Sequence, residues 1–103
     1  MLELTDKNVI DTVVNGNFLL MFCTDWCPIC RWVEDALKLL ATKEYDHFQI
    51  AKLHLNNSPK SFKHFGIIGI PTVLAVKDGV VLHGWAGLTD ADTYQQIVSR
   101  IFD

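Results

Sequence analysis

Cys27 and Cys30 lie three residues apart in the stretch Trp26-Cys27-Pro28-Ile29-Cys30. Thiols at that spacing can exchange electrons with a disulfide or hold a metal. An apolar run, Phe18 to Phe22, leads in, and a helical pattern from Arg31 to Leu40 leads out. The pattern predicts strand, short loop, helix, with Cys27 at the junction. Unpaired N–H groups and the helix dipole at a helix N-terminus stabilise an anion. A thiolate is an anion, so a cysteine so placed is expected to be a good nucleophile at neutral pH. Cys30 falls almost one turn on, on the same side of the helix and within reach of a disulfide. Pro28 fits the first helical turn, where its missing N–H costs nothing. A structural disulfide and half a zinc site are the other readings of such a pair. The flanking strand and helix favour redox chemistry.

The rest of the composition narrows the possibilities. The 103 residues, half of them hydrophobic, fit one domain over 1–103 with a core of its own. A net charge of −3 supplies no basic stripe, so nucleic acid is not an expected partner. Three cysteines do not make a disulfide scaffold, and the odd count leaves a free thiol if Cys27 and Cys30 pair. His47, His54, His64 and His83 show no metal-ligand spacing, so each is expected on a solvated face or strand edge. No metal or other cofactor is expected, and a monomer is. The start, Met1 to Lys7, lacks the pattern of a signal peptide, and the apolar runs are too short to span a bilayer. A cytoplasmic location without membrane attachment is expected. It would become periplasmic or exported if a leader had been removed.

Elements that could position the thiols follow from the periodicity. Leu2 to Leu4 makes a short edge strand. Thr5 or Asp6 can cap a helix with Val9, Ile10, Val13 and Val14 on one apolar face. Phe18 to Phe22 has no polar residue, as expected of a strand buried on both faces. The helix from about Pro28 to Thr42 turns Val33, Ala36, Leu37 and Leu40 inward, and Lys43 to His47 is a polar connector. Phe48 to Leu55 reads as a strand. Ser58-Pro59 caps and opens a short helix with Phe62 and Phe65 inward. Thr72 to Val76 and Val80 to Trp85 form a hairpin around Lys77-Asp78-Gly79. Thr89, three residues before Asp92, approximates a capping box for a last helix bearing Tyr94, Ile97, Val98, Ile101 and Phe102. Strand–helix–strand units imply parallel crossovers, and the hairpin adds antiparallel strands. The expected class is α/β, with one mixed four- or five-stranded sheet flanked by helices on both faces.

With these elements in order, the chain resembles the thioredoxin family over nearly its whole length. Trp26-Cys27-Pro28-Ile29-Cys30 resembles the family's Trp-Cys-Gly-Pro-Cys motif, and Gly69-Ile70-Pro71-Thr72 its cis-proline loop. Ile50-Ala51-Lys52-Leu53 resembles its third strand with a buried lysine, and Gly87 its glycine before the final helix. The resemblance implies the thioredoxin fold and a thiol–disulfide oxidoreductase acting on protein disulfides. It makes Cys27 the exposed nucleophile and Cys30 the resolving thiol, which attacks a mixed disulfide at Cys27 and releases the reduced partner. It makes Pro71 cis and gives the Ile70 backbone the task of holding the substrate as an added strand. Disulfide-bearing proteins and an upstream reductase or redox partner are the implied partners.

The chain departs from that pattern in four places. Pro28-Ile29 replaces Gly-Pro, and these residues tune a potential that ranges from about −270 mV to about −120 mV across the family. A proline after the nucleophile also occurs in glutaredoxins, but those lack the strand and helix that precede the motif here. Met21 stands where thioredoxins carry a buried aspartate under the resolving cysteine, so the usual proton acceptor for Cys30 is missing. Lys52 could then favour the Cys30 thiolate electrostatically, or simply extend to solvent. Asp35 stands in place of the kinking proline, so a straighter helix is expected. Cys23 replaces an aromatic residue and is expected to act as a small buried hydrophobe, with regulatory oxidation the alternative.

Trp26, Ile29, Ile68, Ile70 and Leu88 come from loops expected to surround Cys27, as an apolar collar for an extended peptide or partner protein. Asp25, Glu34 and Asp35 lie near the motif and could modulate the Cys27 thiol, but are expected to be solvated charges. Trp85 is expected to pack on the sheet. Two other functions stay in view. One is a metal or iron–sulfur site completed in a dimer, for which no second ligand pair is visible. The other is a dedicated redox partner or oxidase module with little general reductase activity.

Overall fold

The computed structural model describes residues 1–44 and 47–102. In chain order the elements are β1 (Leu2–Leu4), α1 (Val9–Val13), β2 (Asn17–Cys23), α2 (Pro28–Glu44) and β3 (Gln49–His54). A 3-10 turn (Leu55–Asn57) follows, then α3 (Pro59–His64), β4 (Thr72–Lys77), β5 (Val80–Ala86) and α4 (Ala91–Ile101). One five-stranded sheet has the order β1-β3-β2-β4-β5. β1 and β2 both run parallel to β3, while β4 is antiparallel to β2 and to β5.

β2 is the axis of this arrangement. Its alternation sends Phe18, Leu20 and Phe22 to one face and Leu19, Met21 and Cys23 to the other, and all six are buried. Against the first set pack Val9 and Val13 of α1 and Phe62 of α3. The Phe22 ring meets Phe62 edge-on at 5.1 Å between centroids. Against the second set pack Val33, Leu37 and Leu40 of α2 and Tyr94 and Val98 of α4. The spacing of the α2 residues, four then three, is that of one helical stripe. Each large apolar side chain so buried contributes roughly 1.5–3 kcal/mol. The fold is the mixed α/β sheet with helices on both faces that the sequence implies.

Several expectations need correction. α3 does not make a parallel crossover, because β4 pairs with β2 in the opposite direction and not with β3. A six-residue helix is about 9 Å long, while the six-residue β3 spans about 20 Å. The chain therefore starts β4 at the end of the sheet where β3 stopped. In α1 only Val9 and Val13 are buried, and Ile10 and Val14 are about half exposed, because five residues present one narrow stripe. Asp6 caps a different helix. Its carboxylate accepts from the backbone N–H of Lys60 (3.2 Å) and Ser61 (2.7 Å) at the start of α3. Ser58 makes no capping bond of its own there. At α4 the cap is Asp90, accepting from Thr93 N at 2.9 Å, one residue after Thr89. The Lys43–His47 connector begins later than expected, since α2 continues to Glu44, and Tyr45 and Asp46 lie outside the described residues. α2 runs for 17 residues without a break, in keeping with Asp35 in place of a proline.

At the hairpin, Asp78 and Gly79 both have positive φ, 49° and 83°. That is the two-residue turn an Asp-Gly pair favours. Trp85 is the one buried residue of β5 and packs edge-on against Tyr94 at 4.9 Å.

Candidate active site

Cys27 sits at the end of the loop that joins β2 to α2, directly before Pro28, the first helical residue. It is partly exposed, whereas Cys30 is buried at 5% exposure, and both are free thiols. The backbone N–H of Cys30 donates to Cys27 Sγ at 3.2 Å. This is one of the donors left unpaired in the first helical turn, aimed at the sulfur that would carry charge. Burial pushes the Cys30 thiol up to about 12, assisted by its hydrogen bond with Cys27. The two thiols are thus chemically unequal, one at the surface with a donor on its sulfur and one held neutral behind it.

Two loops close around this turn. The Ile70–Pro71 peptide bond is cis. Pro71 is buried, and its carbonyl accepts from Gly87 N at 2.8 Å. Gly87, at φ +76°, takes a backbone conformation that side chains disfavour, and so ties the loop before α4 to the proline loop. Thr72 Oγ1 donates to Gly69 O at 2.7 Å across the same bend. Ile70 packs on the same buried cluster as Cys27.

Beneath the thiols is a cavity of about 230 Å³ that both of them line, together with Cys23, Glu34, Lys52 and His54. Lys52 Nζ donates to Glu34 Oε1 at 2.6 Å, with each side chain 20% exposed, and Lys38 Nζ lies 3.3 Å from Glu34 Oε2. The Lys52 hydrogen bond holds the Glu34 carboxyl below the usual glutamate range, and the same bond raises Lys52. His54 Nδ1 is 2.9 Å from Asp25 Oδ1, and its Nε2 is 3.5 Å from Glu3 Oε1. Cys23 is buried, donates to Leu53 O at 3.5 Å and lies 3.8 Å from His54 Nδ1. Burial pushes its thiol up to about 11.

Of the residues singled out in the sequence, Cys27, Cys30 and Lys52 thus share one cavity. Trp26 and Pro28 share an outer groove of about 430 Å³ with Cys27, Asp25, Arg31 and Trp32. Trp26 is 94% exposed. Ile29 and Ile68 are exposed and line neither of these two spaces. Leu88 lines a separate apolar groove, of about 390 Å³, with Ala36, Leu39, Ala91 and Trp32; Trp32 is common to both grooves. Lys52 is not extended to solvent, because Glu34 holds it.

Sequence reasoning missed the pairings of Glu34 and His54, which were expected on solvated faces or a strand edge; Asp25 is exposed, as expected, although it pairs with His54. Two periodicities carried the signal. Glu34 follows Cys30 by four residues, which places the two on one helix face. Lys52 and His54 alternate with Ala51 and Leu53 and share a face with Ile50, which packs on the α2 side. His47, His64 and His83 are exposed, as expected. Among the described residues no group of three metal-ligating side chains occurs, and no helix is long and apolar enough to cross a membrane.

Comparison with known proteins agrees with this geometry. The thioredoxin family profile matches residues 1–100. The chain is 31% identical over 96 residues to the thioredoxin of Chlamydia muridarum, across 93% of each chain. It is 26% identical over 98 residues to that of Listeria monocytogenes, across 95% of each. With the thioredoxin of Bacillus subtilis the identity is 25% over 100 residues, across 97% of this chain and 96% of the relative. The chain belongs to the thioredoxin family, and it is a thiol–disulfide oxidoreductase.

Proposed function

We propose that the chain reduces protein disulfides through a mixed disulfide at Cys27, acting as a monomer and as one domain over its whole length. The observation that carries this reading is the unequal thiol pair: Cys27 partly exposed with the Cys30 N–H on its sulfur at 3.2 Å, and Cys30 buried behind it. Cys27 attacks one sulfur of the substrate disulfide, and the other leaves as a thiolate. Cys30 then attacks Cys27 Sγ, and the second substrate thiolate leaves. The protein dithiol is oxidised by two electrons and the substrate disulfide is reduced.

Extended chain is the substrate form this site suits. Ile70 precedes the first β2–β4 pair, Phe22 with Thr72, so its backbone is not committed to that ladder and can take an added strand. Trp26 and Ile68 offer exposed apolar surface on the loops flanking it. An upstream reductase or redox partner must return electrons to the disulfide. A reductase role implies a reducing compartment, the cytoplasm. Reduction of insulin disulfides by wild type, abolished in Cys27→Ser, is the expected result. In Cys30→Ser a trapped mixed disulfide is expected, seen as an added mass. Turnover by Cys27→Ser would overturn the assignment. Exposed Trp26 and Trp32 around one thiol also suit a single dedicated partner. A Cys27–Cys30 reduction potential near the oxidising end of the family range would favour that module over a general reductase.

A further inference from the structure

On the function proposed above, release of reduced substrate needs the Cys30 proton to leave as its sulfur attacks. Cys30 is 5% exposed, and the space it lines beside Cys27 offers the acceptors within reach. The groups lining that cavity can be taken in turn. Lys52 on β3 and Arg31 on α2 are cations without a lone pair to offer. Cys23 on β2 is itself a buried thiol. Both nitrogens of His54 face carboxylates, Asp25 at 2.9 Å and Glu3 at 3.5 Å. Asp25 is 55% exposed, on the loop before α2, and Thr24, which also lines the space, offers a hydroxyl, a much weaker base than a carboxylate. Glu34 remains. It lies one helical turn beyond Cys30, on the same face of α2. Lys52 takes one lone pair of Oε1 at 2.6 Å and Lys38 lies 3.3 Å from Oε2, so lone pairs are left over. The cavity, about 230 Å³, has room for a bridging water with polar partners on both sides.

We propose that Glu34 is the proton acceptor for Cys30, through one water, and that Lys52 is the positioning residue that holds its carboxylate at the cavity wall. As the Cys30–Cys27 S–S bond forms, the Cys30 proton passes by way of the water to Glu34. The bond from Cys27 to the substrate sulfur breaks, and the leaving thiolate carries off the electron pair. Glu34 then loses its proton to solvent or to that thiolate. Because Lys52 holds the carboxyl below the usual range, Glu34 is ionised at neutral pH. The forming S–S bond drives proton loss to this weak base.

The test uses one equivalent of dithionitrobenzoate, an aromatic disulfide whose thiol product is coloured. Attack by Cys27 releases one coloured thiol, and attack by Cys30 on the mixed disulfide releases the second. In Glu34→Gln the second phase at neutral pH is expected to slow about a hundredfold, the lower end of the range for general-base catalysis, while the first phase continues. The deficit should shrink as the pH rises and hydroxide takes over, and Glu34→Asp should recover part of the rate. A second phase at the wild-type rate in Glu34→Gln would overturn the proposal. So would full recovery in the double variant Glu34→Gln/Lys52→Met, because that would trace the defect to an unpaired lysine and not to a lost base. A wild-type protein that shows no second phase, or a Cys27→Ser variant that shows both, would instead overturn the functional reading on which the proposal rests.

Discussion

At the scale of single residues, the question is what keeps a lysine on the inner face of a sheet. Strand alternation points Lys52 toward α2, and Glu34 meets it there at 2.6 Å. Truncating Lys52 leaves a carboxylate, 20% exposed, with only the more exposed Lys38 as partner. Such a loss falls between an exposed pair, about 0.5 kcal/mol, and a fully buried one, about 3–5 kcal/mol. We expect Lys52→Met to lower stability by about 1–2 kcal/mol at pH 7, measured by urea unfolding. The pH window follows from the two directions. Glu34 is lowered, so its contribution is present above its ordinary value of 4.5 and is lost as pH falls through the folded value below that. Lys52 is raised, so its contribution is present below 10.5 and is lost as pH climbs through the folded value above that. The difference between wild type and Lys52→Met should therefore be full between these limits and fade outside them. An unchanged difference well below pH 4.5 would show that Met acts through packing and not through charge.

At the scale of elements, α3 is the short helix whose start depends on a distant residue. Six residues are too few for a stable isolated helix. Asp6, from the turn before α1, supplies acceptors to Lys60 N and Ser61 N and to the Ser61 hydroxyl at 2.6 Å. One carboxylate thus joins the two helices on the same side of the sheet. In Asp6→Ala we expect the Lys60 and Ser61 amides to exchange hydrogen faster, while the amides of α2 keep their protection. Equal rates at Lys60 and Ser61 in both proteins would show that packing of Phe62 alone holds the helix. No local pattern announces this cap, because its two ends are more than fifty positions apart and Ser58-Pro59 supplies a plausible local one.

For the whole molecule, the buried titratable groups act together at alkaline pH. Cys23 is pushed up to about 11, and Cys30 and Tyr94 to about 12, each mainly by burial. The unfolded chain releases thiol protons near 9.0, while the folded chain retains them. Folded protein then binds more protons than unfolded, so stability falls as pH rises from about 9 toward these folded values. Cys23 should account for about 2 kcal/mol of that fall by pH 11. In Cys23→Ala the urea midpoint should accordingly decline less steeply above pH 9, although the variant starts lower by about 1 kcal/mol for the packing it loses. Parallel declines would remove Cys23 as a contributor. The sequence by itself determined the strand–helix alternation, the two-sided burial of β2, the Asp-Gly turn and the position of Cys27 at a helix start. All of these are set by residues within a few positions of one another, through periodicity, turn chemistry and capping. Only the tertiary structure decided the direction of β4, the helix that Asp6 caps and the Glu34–Lys52 pair beneath Cys30. Each of these depends on side chains far apart in the chain, whose separation in space is fixed when the helices pack onto the sheet.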